Sequence, residues 1–135
     1  MAADFLDSNV LVYAFSKDRR ADTAKALLQT RPTISVQGLN EFANVAHRKL
    51  GMDWQEVREA ISAIRVFCPT VMGIDLATHE AAVSLAERYR HSLFDSLLIA
   101  SALHAHSDTL WSEDMQDGML IDGRLRIMNP FRKED

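Results

Sequence analysis

The chain has one cysteine in 135 residues, Cys68, and no pair of cysteines or histidines at zinc-site spacing. One thiol excludes an internal disulfide, so an ordinary reducing compartment is the simplest setting, and Cys68 reads as a small core residue. A basic segment ahead of the first apolar stretch is also missing. "MAADFLDSNVLVYAF" reaches Asp7 within a few residues, which is wrong for a secretory signal. The longest apolar run, around Leu97 to Ala100, falls far short of the roughly 20 residues a membrane span requires. The expectation is a soluble, cytoplasmic protein without a membrane partner. Lysine is scarce too, four against eleven arginines, and the formal net charge is -4. That balance argues against gripping nucleic acid by overall charge, although arginine is the better bidentate phosphate ligand and a local basic rim stays open.

No internal repeat or low-complexity segment interrupts the chain, and 47% of it is hydrophobic. Length and composition suit one domain over residues 1–135. "ADFLD" reads as a buried first strand, and "SNVLVYAF" as its extension or a short helix. A helix follows in "DRRADTAKALLQT", capped by Asp18 or Asp22, then a short strand in "TISV". "QGLNEFANVAHRKLG" puts Leu39, Phe42, Val45, Ala46 and Leu50 on one helical face, with Gly51 as a stop. "DWQEVREAISAIRVF" is a second amphipathic helix, with Asp53 as its cap. "PTVMGI" supplies a third strand, "DLATHEAAVSLAERYR" a helix, "TLW" a fourth strand, and "LIDGRLRIMNPF" a hairpin or edge strand around Asp122-Gly123. Strands separated by helices predict a mainly parallel sheet covered on both faces, with ligands bound outside the carboxyl ends of the strands.

"HSLFDSLLIASALHAH", residues 91–106, is apolar on almost every side, with Leu93 and Phe94 counted toward the core, yet it carries Asp95 in its first turn. A carboxylate in apolar surroundings is costly unless something pairs with it. Asp7 closes the first strand, Glu41 lies about one turn into the helix after the second, and Asp114 follows "TLWS". Each has a structural explanation. Asp7 or Asn9 is a candidate N-cap, Glu41 a solvated helix residue, "SEDMQDG" a polar turn, and Ser92-x-x-Asp95 fits a capping box. Jointly, four acids brought to one place would repel strongly without a cation. Oxygen donors without thiols suit Mg²⁺ or Mn²⁺, and the chemistry implied is metal-assisted phosphodiester hydrolysis.

"FLDSNVLVYA", "VQGLNEFANVA", "LFDSLLIASAL" and "LWSEDMQDG" together resemble the successive acidic motifs of the PIN domain, nearest to the VapC-like toxin ribonucleases of toxin-antitoxin pairs. The resemblance implies a three-layer α/β fold whose clustered acids hold Mg²⁺ or Mn²⁺ and cut RNA. It assigns Asp7, Glu41, Asp95 and Asp114 as catalytic acids, with Asp7, Asp95 and Asp114 on the metal. Asn9 and Ser112 become auxiliary polar residues, and the fourth acid falls among Glu113, Asp114 and Asp117, with Asp117 either an auxiliary ligand or a turn residue. The resemblance further implies a cognate antitoxin and a homodimer. The competing expectation is a non-catalytic binding module on the same fold, its acids serving partner contact. A haloacid-dehalogenase-type phosphatase would need an aspartate where Asn9 stands, and a receiver domain a lysine absent from "TLWSED". His104 and His106 read as surface residues, Trp111 as packing, and Arg19, Arg20, Arg48 and Lys49 either as guides for RNA phosphates or as solvated charges.

Overall fold

The first strand, β1 (Asp4–Leu6), turns Phe5 to one face of a sheet and Leu6 to the other, and both are fully buried in the computed structural model of residues 4–132. Ala3, where the expected strand begins, lies outside the described residues, as do both ends of the expected domain. Burying both faces of so short a strand requires helices above and below it. Phe5 joins Leu110, Ile121, Leu125 and Ile127 under α5 (Leu76–Tyr89) and α6 (Leu93–His104). Leu6 joins Ile34 under α1 (Ser8–Ala14), α2 (Ala21–Leu28), α3 (Val36–Arg48) and α4 (Trp54–Phe67). The three layers are those expected.

The strands form two hydrogen-bonded groups. β1, β4 (Thr109–Trp111), β6 (Leu125–Met128) and β5 (Leu120–Ile121) follow in that order, with only the β5–β6 hairpin antiparallel. β2 (Ile34–Ser35) and β3 (Val71–Met72) make a separate parallel pair. Thr33 joins the groups: its N–H donates to the Asp4 carbonyl at 2.9 Å and its carbonyl accepts from Leu6 at 3.1 Å. "SNVLVYAF" resolves as helix α1, and β6 is an interior strand, leaving β5 as the edge of the hairpin.

Helix signals in the sequence were strong where caps are local. Asp53 caps α4 in a complete capping box with Glu56, and Val57, Ala60 and Ile64 are buried beneath it. Phe42 and Ala46 seat α3 in the same way. Leu27, Leu28, Val57 and Ile61 all belong to this core or its margin, and Cys68 is buried there, its thiol pushed up to about 11 by burial. α2 differs from expectation. Arg20 stands at its N-cap, and Asp18 acts one step earlier by accepting from the Arg20 N–H at 2.9 Å.

α6 buries every residue from Ser96 to Leu103, but its first turn does not follow: Leu93 is 40% and Phe94 66% exposed. The core expectation for those two is corrected, because the helix enters the core only after its first turn. Trp111 packs at the margin of the second core, and His104 and His106 are exposed. Among the described residues no helix is long and apolar enough to cross a membrane.

Candidate active site

β1 and β4 run side by side with Leu6 opposite Trp111. The residues leaving these strands, Asp7 and Ser112, are therefore adjacent at the carboxyl edge of the sheet. The Asp7 N–H donates to the Trp111 carbonyl at 3.0 Å, and Ser112 Oγ donates to Asp7 Oδ2 at 2.7 Å. Asp7 Oδ1 accepts from the Ser8 N–H at 2.6 Å, so the same carboxylate caps α1. The structural and the functional explanation of Asp7 thus apply to one side chain.

Asn9 connects this acid to the next. Its Nδ2 lies 3.0 Å from Asp114 Oδ2 and 3.4 Å from Asp7 Oδ2, and its Oδ1 accepts from the Glu113 N–H at 3.4 Å. Ser112 Oγ also accepts from the Asp114 N–H at 3.3 Å. Asn9 and Ser112 therefore aim both carboxylates, the arrangement by which hydrogen bonds around an acid fix its geometry. Of the alternatives for the fourth acid, Asp114 is the one held beside Asp7.

Asp7 is only 6% exposed. Burial pushes its carboxyl from 3.8 up to about 6; the Ser112 and Ser8 hydrogen bonds oppose the rise, and the charges of Glu41 and Asp114 add to it. A buried acid with two acidic neighbours lacks a countercharge. Among the described residues, neither Asp7, Glu41, Asp95 nor Asp114 forms an ion pair with a cationic side chain. Glu41 reaches this field from the second turn of α3, which starts directly after β2 with Ser35 as its cap.

Asp95 stands at the head of α6, half-buried. Its N–H donates to Ser92 Oγ at 3.1 Å, but the return bond of a capping box is absent, so the carboxylate is left unused by the cap. The start of α6 is tied to the start of α3 by Gln37 Nε2, which donates to the Phe94 carbonyl at 3.3 Å. Asp95 makes no side-chain hydrogen bond among the described residues, and it is not among the groups that shift Asp7.

Among the described residues no three His, Cys, Asp or Glu side chains converge closely enough to cage an ion by themselves. The donor set nevertheless fits a hard cation. Mg²⁺ is commonly held by one or two carboxylates with water completing its shell, and buried Asp7 beside Asp114 is a carboxylate pair short of positive charge.

Asp117 does different work three residues on. Its Oδ1 accepts from the Asn129 N–H at 2.7 Å and its Oδ2 from Arg132 Nη1 at 2.6 Å, and these hold its carboxyl below the usual range. It fastens the chain after β6 to the loop after β4. Glu113 is also occupied, accepting from Tyr13 Oη at 2.6 Å and from Arg20 Nη1 at 2.9 Å. Burial and the Glu113 bond push the Tyr13 phenol up to about 12. This Tyr13–Arg20–Glu113 group, supporting the loop that bears Asp114, was not read from the sequence as a unit. Tyr13 and Arg20 lie within one short stretch, but Glu113 is 100 residues beyond Tyr13, and only the return of β4 beside β1 brings it to them.

The model of the PIN domain matches residues 5–116. The chain belongs to the PIN domain family. Similar PIN-fold structures include a toxin-antitoxin complex from Klebsiella pneumoniae, with a TM-score of 0.74 at 21% identity over 97% of this chain and 100% of that one. The sarcin-ricin loop cleaving toxin VapC20 of Mycobacterium tuberculosis aligns with a TM-score of 0.67 at 21% identity, over 83% of this chain and 92% of its own. VapBC2 from Rickettsia felis, bound to a DNA fragment from its promoter, aligns with a TM-score of 0.67 at 18% identity, over 94% of this chain and 98% of that one. A search of curated protein sequences finds no match. At these identities the structural likeness speaks for the PIN fold, and the chemistry must be argued from the site.

Proposed function

We propose that this PIN domain is a VapC-like toxin: an endoribonuclease that hydrolyses RNA phosphodiester bonds with Mg²⁺ or Mn²⁺, acts in the cytoplasm, and is restrained by a cognate antitoxin protein. The observation that carries this reading is the uncompensated acid pair at the strand ends, Asp7 at about 6 with Asp114 and Glu41 adding to its burden. A protein that gathers negative charge without a cation of its own is prepared for one from outside. The toxin-antitoxin complexes among the similar structures supply the kind of partner, and the RNA-cleaving neighbour the kind of substrate. A homodimer belongs to the same proposal.

Asp7 and Asp114, with Asp95 from the head of α6, would hold the ion. When bound it supplies an activated water and charge to offset the developing oxyanion. Ser112 and Asn9 keep the two carboxylates at fixed angles by donating to them. Glu41, whose charge reaches Asp7, would orient the attacking water by accepting a hydrogen bond from it. The Ser112 bond and the Ser8 N–H favour the ionised form of Asp7, so the acid is readied for a cation despite its burial.

The test is cleavage of structured and single-stranded RNA with Mn²⁺, with Mg²⁺ and with EDTA, by wild type beside Asp7→Asn and Asp95→Asn. The expected result is cation-dependent cleavage that either substitution removes. Equal cleavage by Asp95→Asn would take Asp95 out of the machinery. A melting temperature indifferent to Mn²⁺, together with no cleavage, would instead favour the binding module, because a ligand held only by the native state raises its stability.

A further inference from the structure

A cavity of about 330 Å³ is lined by Arg19, Arg20, Thr23, Pro130, Phe131 and Arg132, and the Arg20 in its wall bonds Glu113, the residue before Asp114. In a chain of net charge -4, three guanidinium groups and no carboxylate line it. Its walls come from two distant segments, the entry to α2 and the chain leaving β6, and both are fastened. Arg20 donates to Glu113 and lies over the Tyr13 ring, 4.6 Å from its centroid. Phe131 meets the same ring edge-on at 5.0 Å, and its N–H donates to Asn129 Oδ1 at 2.9 Å. Arg132 spends Nη1 on Asp117, yet its side chain is 72% exposed with further donors to offer. Arg19 is exposed and forms no ion pair among the described residues.

We propose that this pocket holds a backbone phosphate of the RNA strand close to the bond being cut. The proposal rests on the nuclease reading of the acids and extends it to substrate placement. Three observations favour a nucleic-acid strand as occupant. Arg20, in the pocket wall, holds Glu113, the residue before Asp114, so the pocket adjoins the loop that carries this acid. Among the described residues the acids have no cationic side chain paired with them to hold a polyanion, whereas in the pocket Arg20 is committed to Asp18 and Glu113 but Arg19 is unpaired and Arg132 keeps donors beyond its bond to Asp117. Guanidinium forks suit phosphate oxygens bidentately, and Phe131 adds a flat apolar wall for a sugar or base.

The experiment measures binding of a short fluorescein-labelled uridine oligonucleotide in EDTA, where cation-dependent cleavage is suppressed, across a salt series. It compares wild type, Arg19→Ala, Arg19→Ala/Arg132→Ala, and Arg65→Ala on α4 as the control. The double variant is expected to bind at least about tenfold more weakly, its slope of log affinity against log salt shallower by about 0.7, the contribution of the one single-strand phosphate the pocket would hold. Arg19→Ala alone should show about half the slope change; having no ion pair to lose, it keeps the fold intact. Arg65→Ala should match wild type. Unchanged affinity and slope in the double variant, or no RNA binding by wild type, overturns the proposal. So does a loss confined to a polyglutamate peptide, which would make the pocket a dock for acidic protein segments. Loss of RNA binding by the arginine variants in a protein that cleaves nothing would sink the nuclease reading while the phosphate pocket stands.

Discussion

Asp114 and Asp117 sit three residues apart in one loop and live in opposite electrostatic worlds. Asp117 is satisfied twice over, by the Asn129 N–H and by Arg132, and its carboxyl is held below the ordinary range. Asp122, at the tip of the β5–β6 hairpin, is likewise held low by Arg88, with Tyr89 also donating to it. Among the described residues the Asp114 carboxylate accepts from one neutral donor, Asn9, and it adds its charge to buried Asp7, whose carboxyl is raised to about 6. Acids that finish their electrostatics inside the protein join one element to another. Acids that leave it unfinished are available to something from outside, and that contrast separates the two groups better than position in the chain does.

The sharpest way to break the comparison is to neutralise one member of each group. Asp7→Asn should lower Mn²⁺-dependent RNA cleavage at least about a thousandfold, equivalent to about 4 kcal/mol, measured under single-turnover conditions. Cleavage within a few-fold of wild type would put Asp7 among the structural acids.

Stability should move the other way. Burial raises the folded Asp7 carboxyl to about 6 against 3.8 for the solvent-exposed side chain of the unfolded chain, so the folded chain holds this proton more tightly. Its stabilising contribution is complete below about pH 4 and is lost as pH rises through about 6, a total on the order of 3 kcal/mol. In EDTA, Asp7→Asn should therefore be more stable than wild type at neutral pH, with the gap closing in acid. Urea denaturation across that range checks it, and a gap indifferent to pH would assign the effect to another group.

Ser112→Ala keeps both acids but removes the shorter of the two hydrogen bonds to Asp7 Oδ2, leaving the Asn9 contact at 3.4 Å. It should cost tenfold to a hundredfold in Mn²⁺ affinity, read by metal titration of the melting temperature, with the fold retained. Asp117→Asn belongs to the paired group and should leave cleavage within a few-fold of wild type while costing about 1–2 kcal/mol of stability by urea midpoint. Tyr13→Phe is the mildest, about 1 kcal/mol, because Glu113 keeps its bond to Arg20. A larger fall in cleavage than in stability would mean that Tyr13 holds the Asp114 loop in register for the reaction.

The layers and most helices were legible because their causes are local: apolar spacing in α3 and α4, the Asp53 capping box, and short apolar runs ending in acids. Asp7 and Asp114 were legible as candidates for the same reason, each lying just beyond an apolar strand. Their pairing was not, since it depends on β4 returning parallel to β1. Phe94 misled because apolarity alone cannot say where a helix enters the core, and its first turn lies outside. Asp117 and Asp114 look alike in "SEDMQDG"; only the return of Arg132 distinguishes them. β2 and β3 were both legible as strands, but their standing apart as a pair was not, because pairing is decided by the fold and not by the local pattern.

β3 at one flank of the strands and β5 at the other are each two residues long. Strands that brief offer too few free amides to recruit a neighbour's backbone, which guards the protein against growing into ribbons. The two edges are therefore the least inviting part of the surface for a second copy to extend the sheet.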